Sequence, residues 1–229
     1  MSSFPLKNYS LLTSFTEKII LLLDKHANTS QSRSDTPWDI NPTTGQSTIE
    51  TAPSFGIEDG HLDIMERVYS LHTLARETGS LDPESISQAL TIWDDLEHLE
   101  PPETLDSSDY FSLHASCVSA LFVWLYLVVH PEGMKDEKVQ TTVYTGLVNA
   151  ENISDAEFFP FLLIPAFCLG IASIRQEDRE FVRGVFGKAE RSGISKRFRE
   201  MVIESWNRWD SGVKRSWDWG DIFDGEKII

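Results

Sequence analysis

The sequence predicts an all-α fold, a compact multi-helix bundle with two central apolar helices. Apolar residues recur at three- and four-residue intervals along most of the 229-residue chain, which is the pattern of a helix with one buried face. A stretch ending near residue 130 is apolar on nearly all sides, as is typical of a helix at the centre of a fold. Residues 158–174 form a second apolar stretch. No alternating strand pattern of useful length is visible.

Three regions follow from the distribution of these patterns. Residues 1–26 contain an N-terminal helix, because residues 11–25 have an amphipathic period. Residues 27–56 are rich in Ser, Thr, Asn and Pro and predict a polar, flexible linker. Residues 57–229 are predicted to form the helical domain.

The first two helices of this domain have clear end signals. One begins near Gly60 and stops at Gly79. The next begins at Asp82 and Pro83, an N-cap followed by proline in the first helical position. Pro101 and Pro102 end it. Its predicted buried face carries Ile86, Ala89, Leu90, Trp93, Leu96 and Leu99.

The later helices are predicted from the same kinds of signal. Ser107, Ser108 or Asp109 caps the first central helix, and residues 135–150 form a weaker one. The second central helix, 158–174, has a proline at which it can kink, Pro165. Two more helices cover 177–190 and 195–209, with Gly193 as a left-handed C-cap between them.

Charge and cysteine content exclude some classes of function. The formal net charge is −16, which repels nucleic-acid phosphates, so we expect no direct nucleic-acid binding by this chain. Eleven of its twenty basic residues fall within 175–215, either as a solvated helical face or as a docking patch. Cys117 and Cys168 are predicted to be buried free thiols in a reducing compartment. The apolar stretches are predicted to be core helices, with no membrane contact.

The C-terminal third carries a recognisable order of motifs. An apolar helix over 162–170 precedes the Glu177-Asp178-Arg179 helix start. A helix with a late Trp206 and a tail containing Trp217-Asp218-Trp219-Gly220 follow. With residues 57–75, 86–102 and 114–128, this order resembles the fungal-specific transcription factor domain, the helical regulatory domain of zinc binuclear cluster proteins.

The chain departs from that family in one respect. Family members usually begin with a six-cysteine cluster that holds two zinc ions, and this chain has two cysteines, far apart. Structural zinc needs closely spaced thiolate or imidazole ligands, so the DNA-reading role is not carried over. We expect no metal and no cofactor.

A few residues invite a chemical interpretation. Asp94 and Glu97 have the helical spacing of a carboxylate pair that can hold magnesium, although a solvated acidic face is the favoured interpretation. His114 lies within an apolar helix, as a core histidine or as a buried base. No residue is predicted to be catalytic under the main interpretation. These three are the candidates if the chain is an enzyme.

Aromatic residues form two further candidate sets. One either fills the interior or lines a pocket for an apolar ligand: Phe122, Trp124, Tyr126, Phe159, Phe161 and Phe167. The other either anchors the C-terminal segment on the helical body or forms a partner surface: Trp206, Trp209, Trp217 and Trp219.

Together these observations predict a transcription-factor-like regulatory or interaction domain in the nucleus, or else in the cytoplasm. It would act through protein partners, and a small apolar effector is compatible with the aromatic interior. The alternative is a stand-alone enzyme or ligand-binding protein of secondary metabolism, with a terpenoid or polyketide substrate, that reuses the same helical fold.

Overall fold

The computed structural model describes residues 59–101, 107–189 and 193–220, which all lie within one compact unit, Gly56–Ile222. Over these ranges the chain forms helices and no strand, so the all-α prediction is confirmed. The predicted N-terminal helix (1–26) and linker (27–56) lie outside the described residues. The helices are α1 (Asp59–Thr78), α2 (Pro83–Glu97), α3 (Ser108–Val129), α4 (Glu137–Asn152), α5 (Leu163–Ala172), α6 (Gln176–Ala189) and α7 (Gly193–Asp210), with short 3-10 helices at Gly133–Lys135 and Phe159–Leu162.

The ends of α1 and α2 follow the local signals in the sequence. Gly79 has a φ of 78° directly after α1, a conformation that glycine adopts without a steric penalty. The Asp82 side chain accepts a hydrogen bond from the Ser85 backbone N–H at 2.8 Å, and Pro83 is the first residue of α2. α2 ends at Glu97, a turn before Pro101.

α3 is the central helix of the bundle. Twelve of its 22 residues are buried, and it packs against α1, α2, α4 and α5. Among the described helices, α3 is the one that is long and apolar enough to cross a membrane, with a mean hydropathy of 1.8 over 18 residues. This criterion uses length and composition only. Gly146 of α4 allows a close approach here. A Cβ at that position would lie 2.8 Å from Ser119 Cβ of α3 and 2.7 Å from Leu169 Cδ1 of α5.

The second central helix is shorter than predicted. The 158–174 stretch begins as the 3-10 helix and becomes α-helical over Leu163–Ala172, where nine of ten residues are buried. Pro165 is the third residue of α5, a position whose N–H would have no partner within the helix. The proline is therefore accommodated in the first turn, and a kink is not required.

The prediction for Gly193 is wrong. Gly193 is the first residue of α7, where a helix tolerates glycine, rather than a left-handed cap after α6. The left-handed cap lies at the other end of α7, where Gly212 has a φ of 91°. The N–H of Gly212 donates to the Trp209 carbonyl at 2.8 Å, and that of Val213 donates to the Arg208 carbonyl at 2.9 Å. These two bonds are the Schellman pattern.

Both cysteines are buried free thiols, as predicted. Burial raises the pKa of Cys117 and of Cys168 to about 12, and for Cys168 the nearby Cys117 adds to the effect. Thiols with such pKa values stay protonated at neutral pH. They are therefore poor nucleophiles and poor metal ligands.

Candidate functional site

The C-terminal segment after α7, Ser211–Gly220, returns into the bundle instead of leaving it. Trp217 and Trp219 are 1% and 2% exposed. The Trp217 indole N–H donates to the Pro131 carbonyl at 2.8 Å, which ties the segment to the turn after α3. Ser205 Oγ on α7 lies 2.8 Å from the Ser216 carbonyl oxygen. We call residues 216–220 the C-terminal latch.

A carboxylate lies at the centre of this latch. Asp218 is almost fully buried, and its Oδ1 is 3.3 Å from Nε2 of His72 and 3.2 Å from Nε of Arg76, both on α1. Its Oδ2 is 3.7 Å from a guanidinium nitrogen of Arg215. The latch and the first helix of the domain are thus joined by a buried polar network.

The charges around Asp218 decide its protonation state. Burial by itself would raise the pKa of this carboxyl. The interaction with His72, together with the charges of Arg76 and Arg215, outweighs burial and holds the pKa below its usual value. Asp218 is therefore an anion at neutral pH.

Aromatic side chains enclose His72. Its ring centroid is 4.5 Å from that of Trp219 and 5.3 Å from that of Trp217. The indole N–H of Trp124 on α3 donates to His72 Nδ1 at 3.3 Å. Nε2 of the same ring faces Asp218 at 3.3 Å. The geometry of this Nε2–Oδ1 contact is not that of a hydrogen bond, so its contribution is electrostatic.

Gly220 closes the latch around Arg76. The Gly220 N–H donates to Asp218 Oδ1 at 3.2 Å. A Cβ on Gly220 would overlap the guanidinium of Arg76. The Trp-Asp-Trp-Gly order of the tail is therefore explained by the interior: two indoles for packing, one carboxylate for α1, and a glycine that leaves room for the arginine.

The Glu177-Asp178-Arg179 motif has a comparable structural role. The Arg179 guanidinium donates two hydrogen bonds to the Asp210 carboxylate at the end of α7, at 2.7 and 2.8 Å. It also lies over the Trp206 ring, 5.3 Å from its centroid. Trp206 in turn donates to the Gly170 carbonyl of α5 at 2.8 Å. These contacts join α5, α6 and α7 just before the latch begins.

The four residues of the predicted tryptophan set differ in exposure. Trp206, Trp217 and Trp219 are buried in the described part of the chain. Trp209 is half-buried and lies under Lys135, whose Nζ is 5.4 Å from the ring centroid. Of the four, it is the most exposed.

The six pocket candidates lie in three places. Trp124 and Phe167 are interior and contact Trp219, at centroid distances of 4.9 and 5.4 Å. The other four are half-buried. Two of these, Phe122 and Tyr126, stack on each other on another side of α3; Phe159 and Phe161 belong to the 3-10 helix before α5.

The candidate base His114 pairs with another histidine. His61 of α1 and His114 of α3 are both buried, with ring centroids 5.0 Å apart and the rings nearly perpendicular. Burial lowers the pKa of His114, although a hydrogen bond to the Leu99 backbone partly offsets it. Burial and the neighbouring His114 lower the pKa of His61 to about 4. Both rings are neutral at pH 7.

The carboxylate candidates lie elsewhere. Asp94 and Glu97 are exposed on α2, where Glu97 accepts a hydrogen bond from Trp93 Nε1 at 2.5 Å and Asp94 lies 3.6 Å from Nδ1 of His98. Within residues 59–101, 107–189 and 193–220, no group of three or more potential metal ligands occurs.

The histidine pair predicts a specific pH dependence of stability. The pKa of His61 falls from 6.5 to about 4 on folding, so the unfolded chain takes up a proton more readily than the folded one. The contribution of His61 to the free energy of unfolding is therefore fully present above pH 6.5 and is lost as the pH falls towards 4. The free energy of unfolding should therefore be about 2 kcal/mol lower at pH 5 than at pH 8 from His61 alone. H61F keeps an aromatic ring and removes the titration.

Urea denaturation at several pH values checks this prediction. The wild-type slope between pH 6.5 and 5 should be reduced in H61F. H98F should not reduce it, because hydrogen bonding to the Asp94 backbone and the Asp94 charge raise the pKa of His98, which gives this exposed histidine a contribution of opposite sign. Identical slopes for wild-type and H61F would contradict it.

Sequence reasoning missed His72, Arg76, His61 and Asp218 as members of a site. The available signal was a histidine on the apolar stripe of α1, next to Leu71, and an aspartate between two tryptophans. Polar residues embedded in apolar patterns are unusual because they need buried partners. The partners themselves could not be identified, because 146 residues separate His72 from Asp218.

Comparison with known proteins gives one positive result. The family model of the fungal specific transcription factor domain matches residues 6–229. Comparisons with curated proteins and with solved structures gave no match. The family match covers nearly the whole chain, including the motifs that form the latch and the Arg179 contacts. The chain therefore belongs to the fungal specific transcription factor domain family.

Proposed function

We propose that this protein regulates transcription in the nucleus through contacts with other proteins, and that a partner supplies the recognition of DNA. Family membership over residues 6–229 is the observation that carries the proposal. Two further features support it. A net charge of −16 disfavours approach to phosphates, and both thiols are buried in their protonated form.

A reporter assay tests the regulatory part of the proposal. The full chain is fused to a heterologous DNA-binding domain of known site, and transcription from a promoter carrying that site is measured. We expect the fusion to raise or lower transcription at least threefold relative to the DNA-binding domain alone. An unchanged reporter level, with the fusion present in the nucleus at equal amount, would refute the regulatory role.

A binding titration tests the partner's role in DNA recognition. We expect the isolated chain to bind a labelled pool of random duplexes only weakly and with the steep salt dependence of non-specific contacts. Enrichment of one sequence from the pool, with affinity that persists at 200 mM salt, would show that the chain reads DNA by itself.

A further inference from the structure

An apolar stripe of α2 is left partly exposed by the other described helices. The buried residues of α2 form one helical face: Ser85, Ala89, Ile92 and Leu96. Ile86, Leu90 and Trp93 form the next stripe, at i, i+4 and i+7. Ile86 is 42% and Leu90 65% exposed, which makes Leu90 the most exposed large hydrophobic side chain among the described residues.

Aromatic residues of α3 continue this apolar stripe. Trp93 packs edge-on against Phe122, with ring centroids 4.7 Å apart, and Phe122 stacks on Tyr126 at 6.1 Å. All three rings are partly exposed. We call Ile86, Leu90, Trp93, Phe122 and Tyr126 the α2/α3 surface. A continuous apolar surface formed by two helices is typical of a site that binds another protein.

Carboxylates border the α2/α3 surface. Glu97 accepts a hydrogen bond from Trp93, and Asp136 accepts one from the Tyr126 hydroxyl at 2.8 Å. Asp94 is exposed beside Trp93 on α2. Lys138 contributes one positive charge, with its Nζ 4.3 Å from the Trp93 ring centroid. The border is therefore negative overall, in a chain whose net charge is −16.

We propose that the α2/α3 surface binds an amphipathic helix of a partner protein, a helix with one apolar stripe flanked by Lys and Arg. The partner's apolar stripe would cover Leu90, Trp93 and Phe122, as in other complexes in which a helix occupies an apolar groove. Its basic flanks would face Asp94, Glu97 and Asp136. This inference rests on the proposed function and specifies the surface and the chemistry through which it acts.

Peptide binding to the full chain tests the surface directly. The probe is a fluorescein-labelled peptide of about 18 residues, with leucines at helical spacing and lysines elsewhere. A scrambled peptide of the same composition is the control. We expect the helical peptide to bind at least tenfold more tightly than the scrambled one, as measured by fluorescence anisotropy.

L90E separates apolar docking from general attraction to an acidic protein. The substitution adds a negative charge, so non-specific attraction of a basic peptide would become stronger. Docking on the α2/α3 surface predicts the opposite, a loss of at least tenfold in affinity. I203E adds the same charge at an exposed residue of α7 and should leave the affinity within twofold of wild-type. Circular dichroism melting should show that both variants fold like the wild-type.

Equal binding of the two peptides, or equal binding to wild-type and L90E, would refute helix binding at the α2/α3 surface. Hydrogen exchange provides an independent outcome, because the bound peptide should slow exchange in residues 86–97. Protection confined to other helices would refute the proposal as well.

The reporter assay distinguishes this inference from the proposed function. A regulatory effect that is lost in L90E and retained in I203E supports both. An effect that L90E retains in full refutes the α2/α3 surface as the functional site and leaves the regulatory role intact. A wild-type fusion without effect on the reporter refutes the proposed function. In that case the peptide titration by itself decides whether the α2/α3 surface binds a helix.

Discussion

The D218N variant should lower the free energy of unfolding by about 2–3 kcal/mol, because a buried carboxylate loses its charge-assisted contacts. Asparagine keeps the shape of the side chain but removes the negative charge beside Arg76 and Arg215. These two arginine side chains are 19% and 37% exposed, so water partly compensates their charges and the effect is smaller than for a fully buried ion pair. Urea denaturation monitored by circular dichroism at pH 7 measures the effect.

The pH dependence of this effect has a defined sign. The folded-state pKa of Asp218 is lowered, so its contribution is present above the ordinary carboxyl pKa of about 4 and is lost as the pH falls through the lower folded value. The difference between wild-type and D218N should therefore narrow in strong acid. D94N, at an exposed carboxylate of the same charge, should change stability by less than about 0.5 kcal/mol. A D218N effect below about 1 kcal/mol would contradict the claim that the buried network around Asp218 stabilises the fold.

The W217A variant should also destabilise the protein by about 3–5 kcal/mol, as expected for truncation of a fully buried tryptophan. It creates a cavity next to His72 and removes the hydrogen bond that satisfies the Pro131 carbonyl. Thermal and urea unfolding measure the effect.

The matched control for this prediction is W209A. Trp209 is half-buried, so its truncation should cost about 1 kcal/mol. W217F should fall between the two, because it restores most of the packing but not the hydrogen bond. Equal effects of W217A and W209A would show that burial of the latch does not stabilise the fold.

Local patterns were sufficient to predict most helices. Asp82 and Pro83 begin α2, and the glycine at 79 follows α1, because these signals act through the backbone of adjacent residues. Gly193 shows the limit of such reasoning, since glycine also occurs at helix starts. A glycine alone does not say which side of it is helical.

The interior face of α2 was predicted too broadly. The sequence groups Ile86 and Leu90 with Ala89 and Leu96 because all four are apolar within one wide arc. A helix on the edge of a bundle contacts its neighbours through only part of such an arc. Which part is buried depends on the position of α1 and α3, and this information lies outside the helix itself.

The polar network was beyond local reasoning for a related reason. His72 and Asp218 each stand out in their own segments only as polar residues among apolar ones, and their pairing arises only when the last segment returns to the first helix. Periodicity identifies which residues are buried. It does not identify which buried residue meets which, so pairs that are distant in sequence have to come from the structure.

The position of the C-terminal latch has a consequence for biosynthesis. At about 5–20 residues per second, a ribosome needs roughly 7–30 s to proceed from the codon of His72 to that of Asp218. Throughout this time the nascent α1 lacks the carboxylate and the two indoles that complete its environment. The buried surroundings of α1 can therefore be completed only after the last tryptophans have been translated.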